Sequence, residues 1–560
     1  MQILQWHKFE KANKEKFLLL IGFVILALAV RLYYNSGPLY VLGDEGIYLN
    51  IISQSVVFKS HPLSLLMYRN ANFSNPLETI FNPANIFKFY AGFLYPELLI
   101  NDIFSYSAAN VIYYVTFWSL IECIFLFLII EAISNRRAAI IGALLFSFFP
   151  LDVILSIRVL PIIPMIAMLT IAVYLFIKRK KSEKTKTKYI YSLLSGFFVG
   201  LAYLVHPEGV ILLPFLILYS LVTIISNKSV FREEIRNISF TVIGAFLAFS
   251  ITGIWYFMIT GNFFLYPEVD HNVFLYQSRT QSLYNISIGS NAVLSYTTGT
   301  PLNYVNMLFR LELTKNLFPV EHGLFYFSVI GYLAVAFGTF LLLKSKNSQQ
   351  RMFVYLFIFY LAALSFTPTN ISTNSRGQVM FLMVNSDVIY SSILILPLTI
   401  IIALGLEQMF STNIKGVKYV AVGIITCCVV VSIMQLNYDS TIFRNSMYDV
   451  NQFVKYVSLH SSGVFYAQPT FAQEAQDISR YRYLSSIRPL FSCSASNIAK
   501  INDSYFVVGG TLSISWTPAI MQSYNNCVTA NLTNANLVYN ASNPYEPSNP
   551  LRIFKQNVTS

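Results

Sequence analysis

Two adjacent carboxylates, Asp44 and Glu45, sit between glycines in the stretch from Val41 to Tyr48 (Val-Leu-Gly-Asp-Glu-Gly-Ile-Tyr). Glycine on either side lets the backbone turn tightly and come close to a ligand. A carboxylate at a partly dehydrated boundary can hold a raised pKa and act as a general base. The same two acids can instead cap a helix beginning near Ile47, where negative charge suits the positive end of the helix dipole. The residues alone leave both readings open. A second polar group, Glu268, Asp270 and His271, brings hard-oxygen and imidazole ligands close together, as a divalent metal ion requires. Its spacing is no recognised metal motif and loop solvation accounts for it more easily, so no metal or other cofactor is assigned.

These groups are set in a chain that is poor in charge. Of 560 residues, 55% are hydrophobic and 11% charged, and the mean hydropathy is +0.55. A soluble globular chain carries roughly 25% charged residues, so water is not the only solvent here. Aromatic residues reach 16%, mostly Tyr and Phe, as expected of many membrane–water boundaries. The net charge of +12 does not point to nucleic acid. Its cations gather at the ends of apolar runs (Lys8 to Lys16, Arg136 and Arg137, Lys178 to Lys188, Lys228 to Arg236, Lys344 to Arg351, Lys415 and Lys418), with no basic groove interleaved with aromatics.

The first apolar run, Phe17 to about Tyr34, follows a Lys-rich stretch and is too long for a signal-peptide core. It reads as a retained span with its N-terminus in the cytoplasm. Further runs fall near 110–133, 138–151, 161–177, 190–205, 209–226, 238–260, 324–343, 352–367, 388–406 and 419–436. The reading is a polytopic α-helical membrane protein with about eleven transmembrane helices, several near the ~17–25 residues that a bilayer core demands. An odd count puts the C-terminal segment outside and all the listed Lys/Arg clusters inside, as the positive-inside bias requires. Glycosylation sequons at Asn72, Asn285, Asn370, Asn502, Asn531, Asn540 and Asn557 fall outside, and only those at Asn227 and Asn237 inside. The spans carry few ionisable groups; Glu122 and Glu131 are the exceptions, the latter solvated near an inner end.

The membrane domain then covers residues 1–437, with external loops at 35–109 and 261–323, and residues 438–560 form a small extracytoplasmic domain. In that domain Tyr448–Leu459 has helical periodicity, Gly463–Ala467 strand character, Phe471–Leu484 helix and Tyr505–Val508 strand, an α/β pattern. Cys123, Cys427 and Cys428 lie in apolar runs as packing residues. Cys493 and Cys527 share the external domain, where an oxidising compartment permits a disulfide between them.

Several short motifs resemble the GT-C glycosyltransferases, most of all the protein O-mannosyltransferases and the aminoarabinose transferases of lipid A. Gly43-Asp44-Glu45 after the first span is similar to their first external loop. Asn82-Pro83-Ala84-Asn85-Ile86-Phe87 looks like an altered His-Pro-Pro-Leu element. Phe149-Pro150-Leu151-Asp152-Val153, with Ser156, Arg158 and the run from Pro161 to Thr170, resembles their second external loop and the span after it. His206-Pro207-Glu208-Gly209 is similar to an Arg-Pro-Glu-Gly turn, and Ile395-Leu396-Pro397 with Leu404-Gly405-Leu406 to a later span. The long insertion of the eukaryotic mannosyltransferases and the Trp-Trp-Asp-Tyr-Gly stretch of oligosaccharyltransferases are missing.

The resemblance implies a polyprenyl- or dolichyl-phosphate sugar as donor, a protein, a lipid-linked glycan or another envelope lipid as acceptor, and hexosyl transfer outside the cytoplasm. It makes Asp44 the base, Glu45 its orienting neighbour and Asp152 the second acid. Glycosyl transfer needs a base for the incoming hydroxyl and stabilisation of the departing phosphate. The external cations that can meet an anionic phosphate are Arg69, Arg158, His206, Arg279 and Arg376. Each has a plainer reading: Arg158 can pair locally with Asp152, Arg69 and Arg279 can be solvated, His206 can pack at a helix end. A transporter or flippase is the competing class, marked by internal repeats and helices broken at mid-membrane; no convincing repeat is present, and the large segments 261–323 and 438–560 are superfluous for it. A non-catalytic envelope scaffold is the third reading. The sequons and the cysteine pair suit an archaeal plasma membrane or an endoplasmic reticulum, and the missing insertion favours the archaeal one.

Overall fold

The computed structural model describes residues 2–35, 48, 52, 91–104, 107–264, 328–366, 368–373, 379–383, 392–446, 448–468, 471–472, 475, 486–490, 501, 503–509, 518–532, 535–543 and 546–556. These fall into two compact units. One comprises residues of Met1–Tyr34, Ser60–Glu97 and Tyr113–Leu436, the other residues of Asn35–Lys59, Leu98–Ile112 and Asn437–Ser560.

Each of the apolar runs is a helix. They are α1 (Gln2–Tyr34), α2 (Ala91–Phe104), α3 (Ala108–Ile133), α4 (Arg136–Ser147), α5 (Pro150–Ser156), α6 (Ile162–Lys181), α7 (Thr185–Val205), α8 (Leu212–Ser226), α9 (Phe231–Thr260), α10 (Ser328–Lys344), α11 (Ser348–Phe366), α12 (Ile395–Ser411) and α13 (Lys415–Ser446). Only α2 and α5 were not foreseen as separate helices. Among the described residues eight helices are long and apolar enough to cross a bilayer, nine if α4 and α5 count as one span. The chain is an integral membrane protein. α6 and α12 are almost wholly buried, whereas α1, α9 and α13 turn most of their surface outward. That outward surface is apolar: Phe17, Leu18, Ile25, Phe246, Ile251 and Ile254 are all exposed, as side chains solvated by lipid tails are.

The run expected over 138–151 is two helices bent by 57° at the break. Pro150 is the cause. It lacks an N–H and cannot continue a helix from behind, but it opens a new one well. Phe149 turns extended (φ −66°, ψ 111°) and α5 starts there.

The basic clusters are not all free in solvent. Glu131, expected to be solvated, pairs with Lys16 and, at 3.7 Å, with Arg136. Arg179 is buried, donating to Glu234 at 3.0 Å and to Ser220 at 3.3 Å, with its guanidinium 4.2 Å above the Phe176 ring. Lys188 pairs with Glu233 at 2.6 Å. These bonds tie the Lys/Arg-rich ends of α6, α7, α8 and α9 together.

In the second unit the segment expected as a helix is α14 (Tyr448–Leu459), with the same ends. It is followed by β3 (Phe465–Ala467), β4 (Ile487–Pro489), β5 (Ser504–Val508), α15 (Pro518–Asn531), β6 (Ala535–Asn543) and β7 (Glu546–Gln556). The sheet order is β4-β3-β5-β7-β6, with β3 parallel to both β4 and β5 and β7 antiparallel to β5 and β6. Side chains alternate across a strand, so the sheet buries two faces. Phe453 and Val457 of α14 pack on Phe465, Val507 and Ile553; Tyr524 and Val528 of α15 pack on Phe506 and Val508. Most of the helix expected over Phe471–Leu484 lies outside the described residues. In the first unit β1 (Pro368–Thr373) and β2 (Val379–Met383) form an antiparallel pair.

Candidate active site

Asp152, singled out in the second-loop motif, lies in the first turn of α5 and is fully buried. Its partner is not the neighbouring Arg158 but Arg31, which comes from α1, 121 positions away. Arg31 is buried in the last turn of α1. One of its nitrogens, Nη2, donates to Asp152 Oδ2; Nε donates to Ser119 Oγ at 2.8 Å and Nη1 to the Ala27 carbonyl at 2.9 Å. Ser119, on α3, donates in turn to Asp152 Oδ2 at 2.7 Å. The guanidinium lies 5.5 Å from the Phe146 ring centroid. One turn along α3, Thr116 donates to the Ser156 carbonyl at 2.9 Å and so ties down the last turn of α5.

Arg31 corrects the expectation that only Glu122 and Glu131 charge the spans. A single Arg among some twenty apolar residues hardly lowers a hydropathy average, and nothing near it in sequence hints at a partner. Glu122 lies one turn beyond Ser119, fully buried, in the electrostatic field of Asp152 and Arg31. Among the described residues neither of its oxygens has a hydrogen-bond partner, and Asp152 Oδ1 has none either. Glu97, on α2, is a further buried acid that the sequence did not single out.

Arg158 is also buried, in the turn between α5 and α6. His206 caps α7, between two apolar helices, and its Nδ1 stands 3.9 Å from Glu208 Oε2. Burial lowers its pKa to about 3. At neutral pH His206 is therefore an uncharged imidazole that can offer a hydrogen bond to a phosphate but no charge. The turn it begins needs Gly209: a Cβ there would stand 2.4 Å from the Ala202 backbone carbon. Beside this turn α2 seats Ala91 and Tyr95 against Leu204 and Tyr256, and Trp255 Nε1 donates to the Tyr95 hydroxyl at 3.5 Å.

The structure thus brings Asp152 to Arg31 and places Arg158 and His206 near the ends of α5 and α7. Asp44, Glu45, Arg69, Arg279 and Arg376 lie outside the described residues, as do Glu268, Asp270, His271 and Cys493. Among the described residues no group of three or more His, Cys, Asp or Glu side chains is placed to hold a metal ion. Cys527 is disulfide-bonded, and Cys123, Cys427 and Cys428 are free.

Residues 94–255, from within α2 to within α9, match the family described as dolichyl-phosphate-mannose-protein mannosyltransferase. The fold as a whole is similar to that of ArnT from Cupriavidus metallidurans bound to undecaprenyl phosphate. The TM-score is 0.58 at 12% identity, over 96% of this chain and 98% of that one. The same protein in its apo state aligns with a TM-score of 0.55 at 10% identity, over 97% and 98% of the two chains. The oligosaccharyltransferase of Archaeoglobus fulgidus, in complex with Zn and sulfate, aligns over 82% of this chain and 61% of its own, with a TM-score of 0.48 at 13% identity. No curated protein sequence matches. The likeness to GT-C membrane glycosyltransferases is therefore borne out, in the fold and in the family model that residues 94–255 match.

Proposed function

We propose that this protein is a GT-C glycosyltransferase that moves a sugar, in the simplest case a hexosyl group, from a polyprenyl-phosphate donor to an acceptor outside the cytoplasm. The observation that carries the reading is the end-to-end fold likeness to ArnT, whose structure holds undecaprenyl phosphate. The mannosyltransferase segment at 94–255 agrees with it. Protein, lipid-linked glycan or envelope lipid each remain within the acceptor class. The Lys/Arg placement supports an N-terminus inside, about eleven spans and a C-terminal segment outside, in an archaeal cell membrane.

In the reaction the acceptor oxygen bonds to the anomeric carbon as that carbon's bond to the phosphate oxygen breaks, and polyprenyl phosphate departs with the bonding pair. Asp44 takes the acceptor proton, with Glu45 orienting it, because only these acids stand in the glycine-flanked first-loop motif. Arg69, Arg158 and Arg376 are the guanidinium candidates for the leaving phosphate, and His206 contributes a hydrogen bond. Membranes given a radiolabelled polyprenyl-phosphate hexose and a membrane extract as acceptor should show transfer that Asp44→Asn abolishes. Full transfer by a folded Asp44→Asn protein removes Asp44 as the base; no transfer by the unmodified protein from any such donor refutes the reading.

A further inference from the structure

We propose that Arg31, Ser119 and Asp152 form a positioning lock for the transfer site, and that Asp152 is not a second catalytic acid. The inference rests on the glycosyltransferase reading for what is positioned, and on the geometry alone for the lock itself. Three elements meet at one carboxylate oxygen. Asp152 Oδ2 accepts from Arg31 of α1 and from Ser119 of α3, while it belongs to α5. Arg31 is also anchored to its own helix through the Ala27 carbonyl, so its side chain is held from both ends. A second bond, Thr116 to the Ser156 carbonyl, fixes the far end of α5 against α3. Oδ2, engaged by a guanidinium and a hydroxyl at once, is a poor base for a substrate hydroxyl, and Oδ1, without a hydrogen bond among the described residues, belongs to a fully buried side chain.

The cost of this arrangement argues for a role. Charges inside a membrane domain are expensive, and mark function by default. A buried ion pair is seldom the most stable filling for its volume, since apolar residues often do as well. What hydrogen-bonded charges add is direction: they admit one arrangement of three helices where apolar packing tolerates several. The helix so fixed is α1, which ends at Tyr34, three residues past Arg31 and, in the sequence, nine before Gly43 of the Gly43-Asp44-Glu45 motif. α5 is fixed by the same bonds, just past the bend that separates it from α4, and it leads on to Arg158 and α6. Glu122 sharpens the contrast. It is just as buried, in the same field, yet among the described residues it makes no hydrogen bond; it ties no second helix to its own.

The test compares Arg31→Met/Asp152→Leu, which removes one charge of each sign and keeps the volume, with Glu122→Gln in the full-length protein. A lock predicts that the double variant keeps its thermal midpoint and its donor KM while kcat falls about a hundredfold, as small misplacements of reacting groups do. Deuterium uptake of the peptide covering residues 35–48 rises with it. Glu122→Gln changes none of these. Full kcat with unchanged uptake in the double variant overturns the lock. If the double variant fails to fold, Ser119→Ala against Ser119→Thr decides instead: the first lowers kcat and raises uptake, the second restores both, and equal values for the two refute the proposal. If uptake rises but the unmodified protein transfers no sugar, the lock stands and the glycosyltransferase reading falls.

Discussion

The seam between α7 and α9 offers the sharpest stability test. Lipid tails are as apolar as leucine, so helices in a bilayer are held by close packing, and small residues at the interface allow it. Here Gly196 and Gly200 of α7 face Thr241, Ala245 and Ala248 of α9, while Gly244 of α9 faces Leu193 of α7. A Cβ at Gly196 would stand 1.8 Å from the Thr241 carbonyl oxygen, against the 3.4 Å of ordinary contact, a deficit of about 1.6 Å. Both sides are helix backbone, which cannot yield as a side chain does. Overpacking costs about 1–3 kcal/mol, and this overlap belongs at the upper end. Alanine returns about 1 kcal/mol of helix propensity over glycine, leaving a net loss of about 2 kcal/mol. Gly423, on α13, is the control: a Cβ there meets nothing within 4 Å, so Gly423→Ala keeps the propensity gain alone. The two variants should differ by about 3 kcal/mol. One kcal/mol moves the midpoint of a 150–250-residue domain by about 2–4 °C and a larger unit by less, so a separation of a few degrees is expected. Apparent midpoints in detergent at one fixed scan rate measure it, since unfolding of such a protein is irreversible. Equal midpoints for Gly196→Ala and Gly423→Ala would refute the packing argument.

Other perturbations have equally definite outcomes. Because burial lowers the His206 pKa from 6.5 to about 3, the unfolded chain binds a proton there that the folded chain does not. His206 thus contributes stability above pH 6.5 that is lost as pH falls toward 3. His206→Gln should flatten that acid loss of thermal stability; an unchanged acid limb contradicts the burial. For the disulfide at Cys527, non-reducing peptide mapping should join the peptides carrying Cys493 and Cys527, and Cys493→Ser should free Cys527 to a membrane-impermeant maleimide added to intact cells. Labelling only after the cells are opened would reverse the proposed orientation.

How much of this was legible in the sequence follows from what each feature depends on. A span must bring its own apolar residues, about twenty of them, so the eight helices long and apolar enough to cross a bilayer could be read without knowing a single contact. The ends of α14 were equally local, set by the periodicity of Tyr448–Leu459. The bend at Pro150 was half legible: the proline was in plain view, but the run from 138 to 151 passed as one short span until α5 was seen to start at it. Glu131 and Arg179 went unrecognised as partners for another reason. Their neighbours in sequence say only that a helix end is basic; that Lys16 and Glu234 reach them is a fact of tertiary packing.

Arg31 shows the limit most plainly, and it changes how Asp152 is to be understood. The resemblance made Asp152 the second acid of a site, and a local ion pair with Arg158, six residues on, was the plainer alternative. The local pairing treated nearness in sequence as nearness in space. The bond that is made spans 121 positions, between a residue that hydropathy averaging hides and one that a loop motif advertises. Once Oδ2 is engaged by Arg31 and Ser119, Asp152 has a task that needs no substrate. The general base is then to be sought at Asp44 or Glu45, thirteen and fourteen residues beyond the arginine that holds the end of α1 in place.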